Sequence, residues 1–457
     1  MNGKNKILFL SAEVTPLAKV GGLGDVAGAL PQALNKLGVD IRICLPFYGM
    51  IDQKKYPAEK IISRLPAPAG DKNQAVDVWE TYLPETDIPV YLIKHDFFNS
   101  KEIYSHDLER FSFFTRAALE AAEKLNFRPD IVHANDWHTA MAADFIKQLN
   151  RQNSFFSKTK TLYTIHNLAN QGITKTKNYM AEGILNSDII NTVSPTYAKE
   201  ILTKEFGAGL ENILFKRKSR LYGILNGIDT AFFNPETDSL IEQKYSQKNS
   251  KEKTVNKIAL QKQLGLAQNE KTALVGMVSR LVWQKGVDLI SEEFSRLDCQ
   301  FVFLGTGEKK YENALLKMAE KFPSRFSARI KFDEKLAHLI YAGSDMFLMP
   351  SRFEPCGLGQ MVAMRYGTVP VVRATGGLAD TVNGKNGFAF KKYSSQELYK
   401  TINKALNVFY KDKKTWDRIK INGMKSDFSW DKSAREYLKI YEKIALTKPK
   451  IFANMYL

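Results

Sequence analysis

Short apolar runs alternate with helical patterns along most of this chain. In the first half, the runs typical of buried strands are KILFLSAEV, DIRICLPFY, VYLIKHD, DIVHAND and KTLYTIHN. Between them, DVAGALPQALNKLG and RFSFFTRAALEAAEKL place apolar residues at helical spacing, and Gly38 follows the first where a left-handed cap is expected. Because parallel strands need crossover helices, the alternation predicts a doubly wound α/β fold.

The same alternation restarts after a polar segment, residues 235–256, which we interpret as a linker. The strands predicted beyond it are TALVGMVSR, CQFVFLGTG, RIKFDE, DMFLMPS, TVPVVR and GFAFKKY, and the chain after about residue 395 is predicted to be mainly helical. A chain of 457 residues is too long for one core. We predict domains over 1–243 and 244–431, with a last helix, 432–457, joining the first domain.

Composition limits the class of protein. The net charge is +17, but the lysines are scattered, which favours solvated basic faces over a nucleic-acid partner. Cys44, Cys299 and Cys356 form neither a disulfide framework nor a Cys-x-x-Cys zinc pattern, so a reducing cytoplasm is expected. The first apolar run ends at Glu13 and no run is long enough to cross a bilayer, so a soluble, unexported protein without a membrane partner is expected.

Two glycine loops follow predicted strands, one in each half. In KVGGLGDVAGAL, glycines 21, 22 and 24 allow close backbone approach, the next helix offers free N–H groups, and Lys19 adds a cation. This chemistry suits an anion such as a phosphate. RATGGLADTVNG repeats the G-G-L-x-D pattern at Arg373–Gly384. Ligands of doubly wound sheets bind at the carboxyl ends of the strands, so both loops are expected to face one cleft.

Two other interpretations of the first loop remain open. Gly22, Gly24 and Gly28 come near a nicotinamide-binding fingerprint with Asp40 as the ribose-binding acid, although Asp40 opens its strand instead of ending it. Alternatively, the glycines only allow a helix to pack tightly on the sheet.

The order of several motifs resembles bacterial glycogen synthases and plant starch synthases. The matching segments are KVGGLGDV, HANDWHT, TIHNLANQG, TVSPTYAKEI, GAGL, GILNGID, VSRLVWQKG, PSRFEPCGLGQ and TGGLADTV, and the match spans about residues 6–445. The resemblance implies the GT-B fold, in which two Rossmann-like domains face each other across a deep cleft. It also implies transfer of glucose from a nucleotide sugar to an α-1,4-glucan, with the acceptor on the first domain and the donor on the second.

The departing diphosphate needs positive charge, and the sequence contains no D-x-D triplet to bind a metal. Arg280 and Lys285 lie five residues apart just after the first strand of the second half. A guanidinium fork and an ammonium group both suit phosphate, although an isolated pair of this kind would more simply be surface charge. The resemblance assigns them to the phosphates.

Glu354 opens EPCGLGQ after a predicted strand, and its carboxylate could accept hydrogen bonds from sugar hydroxyls. The resemblance places Glu354 on the donor glucose and the backbone of Cys356, Gly357 and Leu358 on the phosphate. Many GT-B relatives have a second glutamate where this chain has Val362, a departure shared by bacterial glycogen synthases. The Cys356 thiol could act as a nucleophile, but a packing role is favoured.

HANDWH and IHN supply polar side chains at strand ends. By resemblance, Asp136 and His166 contact the transferring glucose and the acceptor, with Asn167 beside them. Whether Asp136 orients the acceptor hydroxyl or stabilises positive charge is left open, and so is a structural or sugar-stacking role for Trp137. A metal cluster with His133 is conceivable but less suited to a cleft mouth.

Four further groups complete the expected substrate site. Glu13 and Asp25 flank the first loop and match the family pattern on the acceptor side. Asn226 contacts ligand or forms an Asx turn. Thr375, Gly376 and Gly377 form the second loop, and Asp380 is expected to cap the following helix.

We therefore predict a retaining glycosyltransferase that moves glucose from ADP-glucose to the non-reducing end of an α-1,4-glucan without a cofactor or a metal. Two alternatives remain: a nicotinamide dehydrogenase, and a glucan- or nucleic-acid-binding protein that has lost catalysis.

Overall fold

The computed structural model describes residues 5–70, 72–104 and 107–445. The chain forms two compact units. The first comprises Met1–Val193, Ala198–Leu225 and Trp430–Leu457, and the second comprises Ser194–Tyr197 and Asn226–Ser429.

The first unit contains a nine-stranded sheet in the order β3-β4-β5-β2-β1-β6-β7-β8-β9. Pairing is parallel from β5 to β9, whereas β3, β4 and β5 pair antiparallel. The predicted runs of the first half correspond to β1, β2, β5, β6 and β7. The strand bounds are β1 Lys6–Leu10, β2 Asp40–Pro46, β3 Glu59–Ala69, β4 Lys72–Tyr82, β5 Pro89–Lys94, β6 Ile131–Asn135, β7 Lys160–Ile165, β8 Ile189–Thr192 and β9 Leu221–Gly223.

Helices connect these strands. Leu23, Val26, Leu30 and Leu34 are buried at helical spacing along the first helix, and Gly38 beyond it has a φ of +89°, which confirms the predicted left-handed cap. The helix bounds are α1 Gly22–Lys36, α2 Glu109–Lys124, α3 Ala142–Gln152, α4 Tyr179–Asn186, α5 Pro195–Glu200 and α6 Glu211–Lys216.

The second unit contains a six-stranded, fully parallel sheet in the order β12-β11-β10-β13-β14-β15. The strands are β10 Ala273–Val278, β11 Cys299–Leu304, β12 Phe326–Arg329, β13 Met346–Met349, β14 Val369–Arg373 and β15 Phe388–Phe390. The helices are α7 Lys253–Leu264, α8 Lys309–Lys321, α9 Glu334–Gly343, α10 Gly359–Arg365, α11 Gly376–Thr381, α12 Ser395–Lys411 and α13 Lys413–Lys425. The strand predicted at RIKFDE lies earlier in the chain than expected: β12 ends at Arg329, the first residue of that run.

The structure differs from the predicted linker at residues 235–256. Asp238 is buried, and its Oδ2 atom lies 2.7 Å from His338 Nδ1 and 2.6 Å from Tyr366 Oη. Lys253 already begins α7. Burial and paired polar groups fix this segment to the second unit, whose main segment therefore begins at Asn226 instead of residue 244.

The last described helix, α14 (Trp430–Ala445), belongs to the first unit. Tyr441 Oη lies 2.8 Å from the buried His133 Nδ1, and Tyr437 Oη accepts a 3.0 Å hydrogen bond from Asn191 Nδ2. The remainder of the predicted 432–457 helix, after residue 445, lies outside the described residues. Within residues 5–70, 72–104 and 107–445, no helix combines the length and apolarity that a bilayer crossing requires.

Candidate active site

The first glycine loop surrounds a carboxylate from its own chain. Glu13 follows β1 and is buried, and its Oε2 atom accepts 2.7 Å hydrogen bonds from the backbone N–H groups of Val20 and Gly21. The predicted anion-binding amides of residues 20 and 21 therefore hold Glu13. Space remains over Gly22, where an added Cβ would meet no atom within 4 Å.

Tyr104 also hydrogen-bonds to Glu13: its hydroxyl group donates to the Glu13 Oε1 atom. Burial raises the pKa of Tyr104, so the phenol remains a proton donor at neutral pH. Sequence reasoning missed Tyr104, because the contact joins residues 91 positions apart and no local pattern announces it.

Lys19 and Asp25 form an ion pair at the surface of the same loop, with Lys19 Nζ 2.6 Å from Asp25 Oδ1. Burial raises the pKa of Asp25 despite the neighbouring cation. The predicted cation of the loop is thus already paired. Gly28, deeper along α1, fits the packing interpretation, because a Cβ there would lie 2.5 Å from the Thr15 carbonyl oxygen.

Asp136, His166 and Asn167 come together as predicted. Asp136 Oδ1 accepts hydrogen bonds from the backbone N–H groups of His166 at 2.7 Å and Asn167 at 3.4 Å. Asp136 has a φ of +53°, a conformation that costs a non-glycine residue free energy and recurs at functional sites. Burial raises its pKa to about 7. His166 Nε2 lies 3.0 Å from Asn135 Oδ1, and burial lowers the His166 pKa, so the imidazole is neutral.

Two other ring side chains of HANDWH, His133 and Trp137, are structural. His133 is fully buried, with Nδ1 on Tyr441 and Nε2 on Thr164. Trp137 is 8% exposed and packs so closely on Gly172 that a Cβ there would lie 2.3 Å from the indole ring. Neither is available to a sugar. No group of three or more His, Cys, Asp and Glu within the described ranges is arranged to hold a metal ion.

In the second unit, Lys285 and Glu354, which were predicted to contact the diphosphate and the glucose respectively, contact each other. Lys285 Nζ lies 2.6 Å from Glu354 Oε2, and both side chains are largely buried. The buried Ser351 hydroxyl donates to the same oxygen at 2.9 Å. Lys285 follows β10 and Glu354 follows β13, which are neighbouring strands, so the pair lies where parallel sheets bind ligands.

Arg280 differs from Lys285 in its surroundings. Its side chain is exposed, and no hydrogen bond or ion pair joins it to the described part of the chain. The short turn that carries Lys285 ends at Gly286, whose φ is +74° and whose Cβ would lie 2.1 Å from the Pro350 carbonyl oxygen. Among the residues that the structure describes, the Arg280 guanidinium group therefore has no partner.

The second glycine loop packs directly on the Glu354–Cys356 turn. Gly376 has a φ of +45°, and a Cβ there would lie 1.9 Å from the Glu354 carbonyl oxygen. A Cβ on Gly377 would lie 2.0 Å from the Cys356 carbonyl oxygen, and the Gly377 N–H donates to Glu354 O at 3.1 Å. These glycines thus hold the two motifs against each other.

The remaining predicted contacts lie around this turn. Burial raises the pKa of the Cys356 thiol to about 12, which opposes the nucleophile interpretation, and the Asn226 N–H bonds to its sulfur. The Asn226 side-chain oxygen is buried without a partner in the described residues, and so could receive a ligand donor. Gly357, at a φ of +73°, and Leu358 lead into α10, and Thr375 begins α11.

Asp380 does not cap the following helix, in contrast to the prediction. Its carboxylate oxygens accept hydrogen bonds from Thr196 Oγ1 at 2.6 Å and Thr196 N at 2.8 Å, within the second unit. Asp380 therefore caps α5, a helix that the sequence pattern did not connect with it.

Two family descriptions match the chain. Starch synthase catalytic domain matches residues 6–216, and glycosyl transferases group 1 matches residues 260–425. The glycogen synthase of Thermotoga petrophila is 46% identical, with 97% of this chain and 99% of the relative covered. The glycogen synthase of Alkaliphilus metalliredigens is 41% identical over 96% of this chain and 100% of its own length.

Solved structures agree. The catalytic domain of starch synthase IV from Arabidopsis thaliana, bound to ADP and acarbose, matches with a TM-score of 0.88 and 34% identity, covering 98% of this chain and 100% of that one. Sucrose-phosphate synthase from Thermosynechococcus elongatus, at 17% identity and a TM-score of 0.62, shares the fold. The two parallel-sheet α/β domains predicted from the alternation, and the GT-B type implied by the resemblance, are confirmed. This chain belongs to the glycogen and starch synthase family of glycosyltransferases.

Proposed function

We propose that this chain transfers glucose from ADP-glucose to the non-reducing end of an α-1,4-glucan with retention of the anomeric configuration. The observation that carries the proposal is the Lys285–Glu354 pair at the carboxyl end of the second sheet, five residues after Arg280, whose side chain has no partner among the described residues. The ADP bound to the Arabidopsis relative supports adenosine diphosphate as the leaving group.

The diphosphate is neutralised by Arg280 and Lys285. As the glycosidic bond breaks, negative charge accumulates on the phosphate oxygens, and fixed cations at that position lower the barrier. Arg280 is free to form a bidentate contact, whereas Lys285 exchanges part of its interaction with Glu354 for one with phosphate.

Glu354 and His166 orient the glucose. Ser351 and Lys285 share one Glu354 oxygen, which leaves the Oε1 atom for sugar hydroxyl groups. The ring N–H of the neutral His166 donates from Nε2 to Asn135 Oδ1, so the ring offers its Nδ1 lone pair to a sugar hydroxyl. The acceptor hydroxyl attacks the anomeric carbon from the side that the diphosphate leaves, through an oxocarbenium-like state and without a covalent enzyme intermediate. The bond from the anomeric carbon to the diphosphate breaks as the new glycosidic bond forms, and the hydroxyl proton passes to the departing phosphate oxygen.

The nucleotide base has a candidate surface in Phe332. This side chain follows β12, at the same edge of the sheet as Lys285 and Glu354, and is 91% exposed. Stacking of a base on an aromatic ring contributes about 1–3 kcal/mol. We expect Phe332→Ala to raise the KM for the nucleotide sugar about tenfold, because 1.4 kcal/mol is a factor of ten. The control Phe332→Tyr keeps the ring and should retain the KM. If Phe332→Ala and Phe332→Tyr had the same KM for the nucleotide sugar, Phe332 would not contribute to donor binding.

The decisive experiment measures nucleoside diphosphate released with glycogen as acceptor, using ADP-glucose or UDP-glucose, with and without EDTA. We expect ADP-glucose to be the better donor and EDTA to leave the rate unchanged. Digestion of the extended glucan by an enzyme specific for α-1,4 links tests retention. Activity that is lost with EDTA and restored by a divalent metal would contradict the role given to Arg280 and Lys285.

A further inference from the structure

A cavity of about 270 Å³ lies in the second unit, in a region that the proposed function does not use. Its lining comprises Ile228, Thr230, Arg365, Met424 and Lys425–Ser429. The volume is just below the range of roughly 300–1,000 Å³ typical of small-molecule pockets. The cavity therefore suits a ligand of few atoms.

The polar lining carries excess positive charge. Arg365 ends α10 and Lys425 ends α13, and neither side chain forms a hydrogen bond or ion pair with the described residues. The Arg365 Nε atom is moreover buried without a partner. A buried donor without an acceptor costs free energy, so an acceptor from outside the chain would be favoured here.

One carboxylate opposes this charge among the residues that line the cavity. Asp427 Oδ1 accepts a 2.9 Å hydrogen bond from Ser429 N, which leaves two cations against one anion. Thr230, Ser426 and Ser429 add hydroxyl groups. A tetrahedral oxyanion, which accepts hydrogen bonds in several directions, matches a guanidinium fork, an ammonium group and hydroxyl groups around one volume.

The cavity lies beside two segments of the chain that pass between the two units. Ile228 and Ser429 form a parallel bridge, and Ile228 N donates to Phe428 O at 2.8 Å. Two of the four points at which the chain passes from one unit to the other are Leu225–Asn226 and Ser429–Trp430. The two crossing segments therefore run side by side along this cavity, and a ligand here would contact both of them.

We propose that this cavity is a binding site for a small phosphate-bearing molecule, with Arg365 as the principal ligand and Lys425 and Thr230 as supporting groups. Bound phosphate connects Thr230, which follows the crossing at Leu225–Asn226, with Lys425, which precedes the crossing at Ser429–Trp430. The site is separate from Arg280, Lys285 and Glu354, and the inference does not depend on the identity of the sugar donor.

Isothermal titration of the whole protein with inorganic phosphate, at fixed ionic strength, tests the proposal. We expect saturable binding that Arg365→Gln weakens at least tenfold and Thr230→Val weakens to a smaller extent. The variant Arg280→Gln/Lys285→Gln, which removes the cations of the catalytic site, should keep this binding. The matched control Lys321→Gln, in an exposed ion pair with Glu292, should behave as the unmodified protein.

Two results of this titration would contradict the proposal. Absence of saturable binding, or an unchanged affinity in both Arg365→Gln and Thr230→Val, would overturn the proposal. Complete loss of binding in Arg280→Gln/Lys285→Gln would assign the phosphate to the catalytic site instead. If Arg365→Gln does not fold, Thr230→Val and Lys425→Gln still decide, because neither removes a buried charge.

Discussion

Lys285 has two tasks that a simple alanine substitution would confuse. Its ammonium group neutralises the buried Glu354 carboxylate and, in our proposal, also receives the diphosphate. Removing one partner of a buried pair typically costs about 3–5 kcal/mol of stability, because the other charge is left uncompensated. Lys285→Ala would therefore weaken the fold as well as catalysis. Lys285→Gln keeps a hydrogen-bond donor for Glu354 and is the sharper variant.

We expect Lys285→Gln to lower turnover about 10²–10³-fold, the usual cost of removing one group that stabilises developing negative charge. Chemical denaturation should show that most of the stability is retained. Lys321→Gln in the same unit should change neither quantity. A Lys285→Gln enzyme with near-normal turnover would show that the diphosphate is stabilised elsewhere.

Asp136 gives the reaction a pH dependence near neutrality. Burial raises its pKa to about 7, so the carboxyl group is protonated below that pH and ionised above it. If the ionised form orients the acceptor or stabilises positive charge, kcat/KM rises as the pH increases through about 7. We expect Asp136→Asn to be much less active and to lack this inflection. An inflection that persists in Asp136→Asn would belong to another group.

At the scale of elements, the two glycine loops are alike in sequence but differ in what they approach. The first is followed by the fifteen-residue helix α1 and leaves open space over Gly22. The second is followed by the six-residue helix α11 and lies against the Glu354–Cys356 turn. A glycine pair predicts that another group lies close to the loop backbone. The pattern does not show whether that group is a ligand or another part of the chain's own backbone.

The second loop yields a stability prediction. Gly376→Ala adds a Cβ that would lie 1.9 Å from the Glu354 carbonyl oxygen, at a φ of +45°. Backbone strain of this kind costs about 1–3 kcal/mol, and the turn must also move. We expect denaturation at lower denaturant concentration and a raised KM for the donor. Gly384→Ala is the matched control, because an added Cβ there meets no atom within 4 Å. Equal stabilities would mean that the loop adapts freely.

Most strands that sequence patterns predicted are buried on both faces, although the fully buried four-residue strand β8 was missed. β6 and β11 are buried at every position, and both were found as apolar runs. The β3–β4 hairpin was missed because β3 is mostly exposed and contains two prolines, so no apolar run marks it. Likewise, motif residues such as Lys285 and Glu354 could be predicted, whereas Tyr104 and Ser351 could not. Their roles arise from tertiary contacts that leave no local signal.

At the scale of the whole molecule, α14 supplies part of the core of the first unit. His133 is fully buried, and its Nδ1 atom has Tyr441 Oη as partner at 2.8 Å. Tyr441→Phe removes that partner, and an unsatisfied buried polar group costs about 1–3 kcal/mol. We expect the free energy of unfolding to fall by this amount. Tyr82→Phe, at an exposed tyrosine of the same unit, should leave stability unchanged. No difference between the variants would indicate that water replaces the hydroxyl.

The domain boundary could not be predicted, because polarity alone does not distinguish a linker from a segment anchored by a few buried groups. Residues 235–256 are polar, yet Asp238 and Tyr245 are buried within the second unit. The alternation of strands and helices was sufficient for the number of domains and their class, since it depends on repeated burial and not on single contacts.

The first unit draws residues from both ends of the chain, and this has a consequence for synthesis. A growing polypeptide leaves the ribosome from its amino terminus, so residues 226–429 emerge before Trp430–Ala445 does. The second unit can therefore complete its core while the first still exposes the surface that α14 will cover. We expect the nascent amino-terminal segment to need protection from aggregation until Trp430–Ala445 has emerged, the reverse of the usual order in which amino-terminal domains fold first.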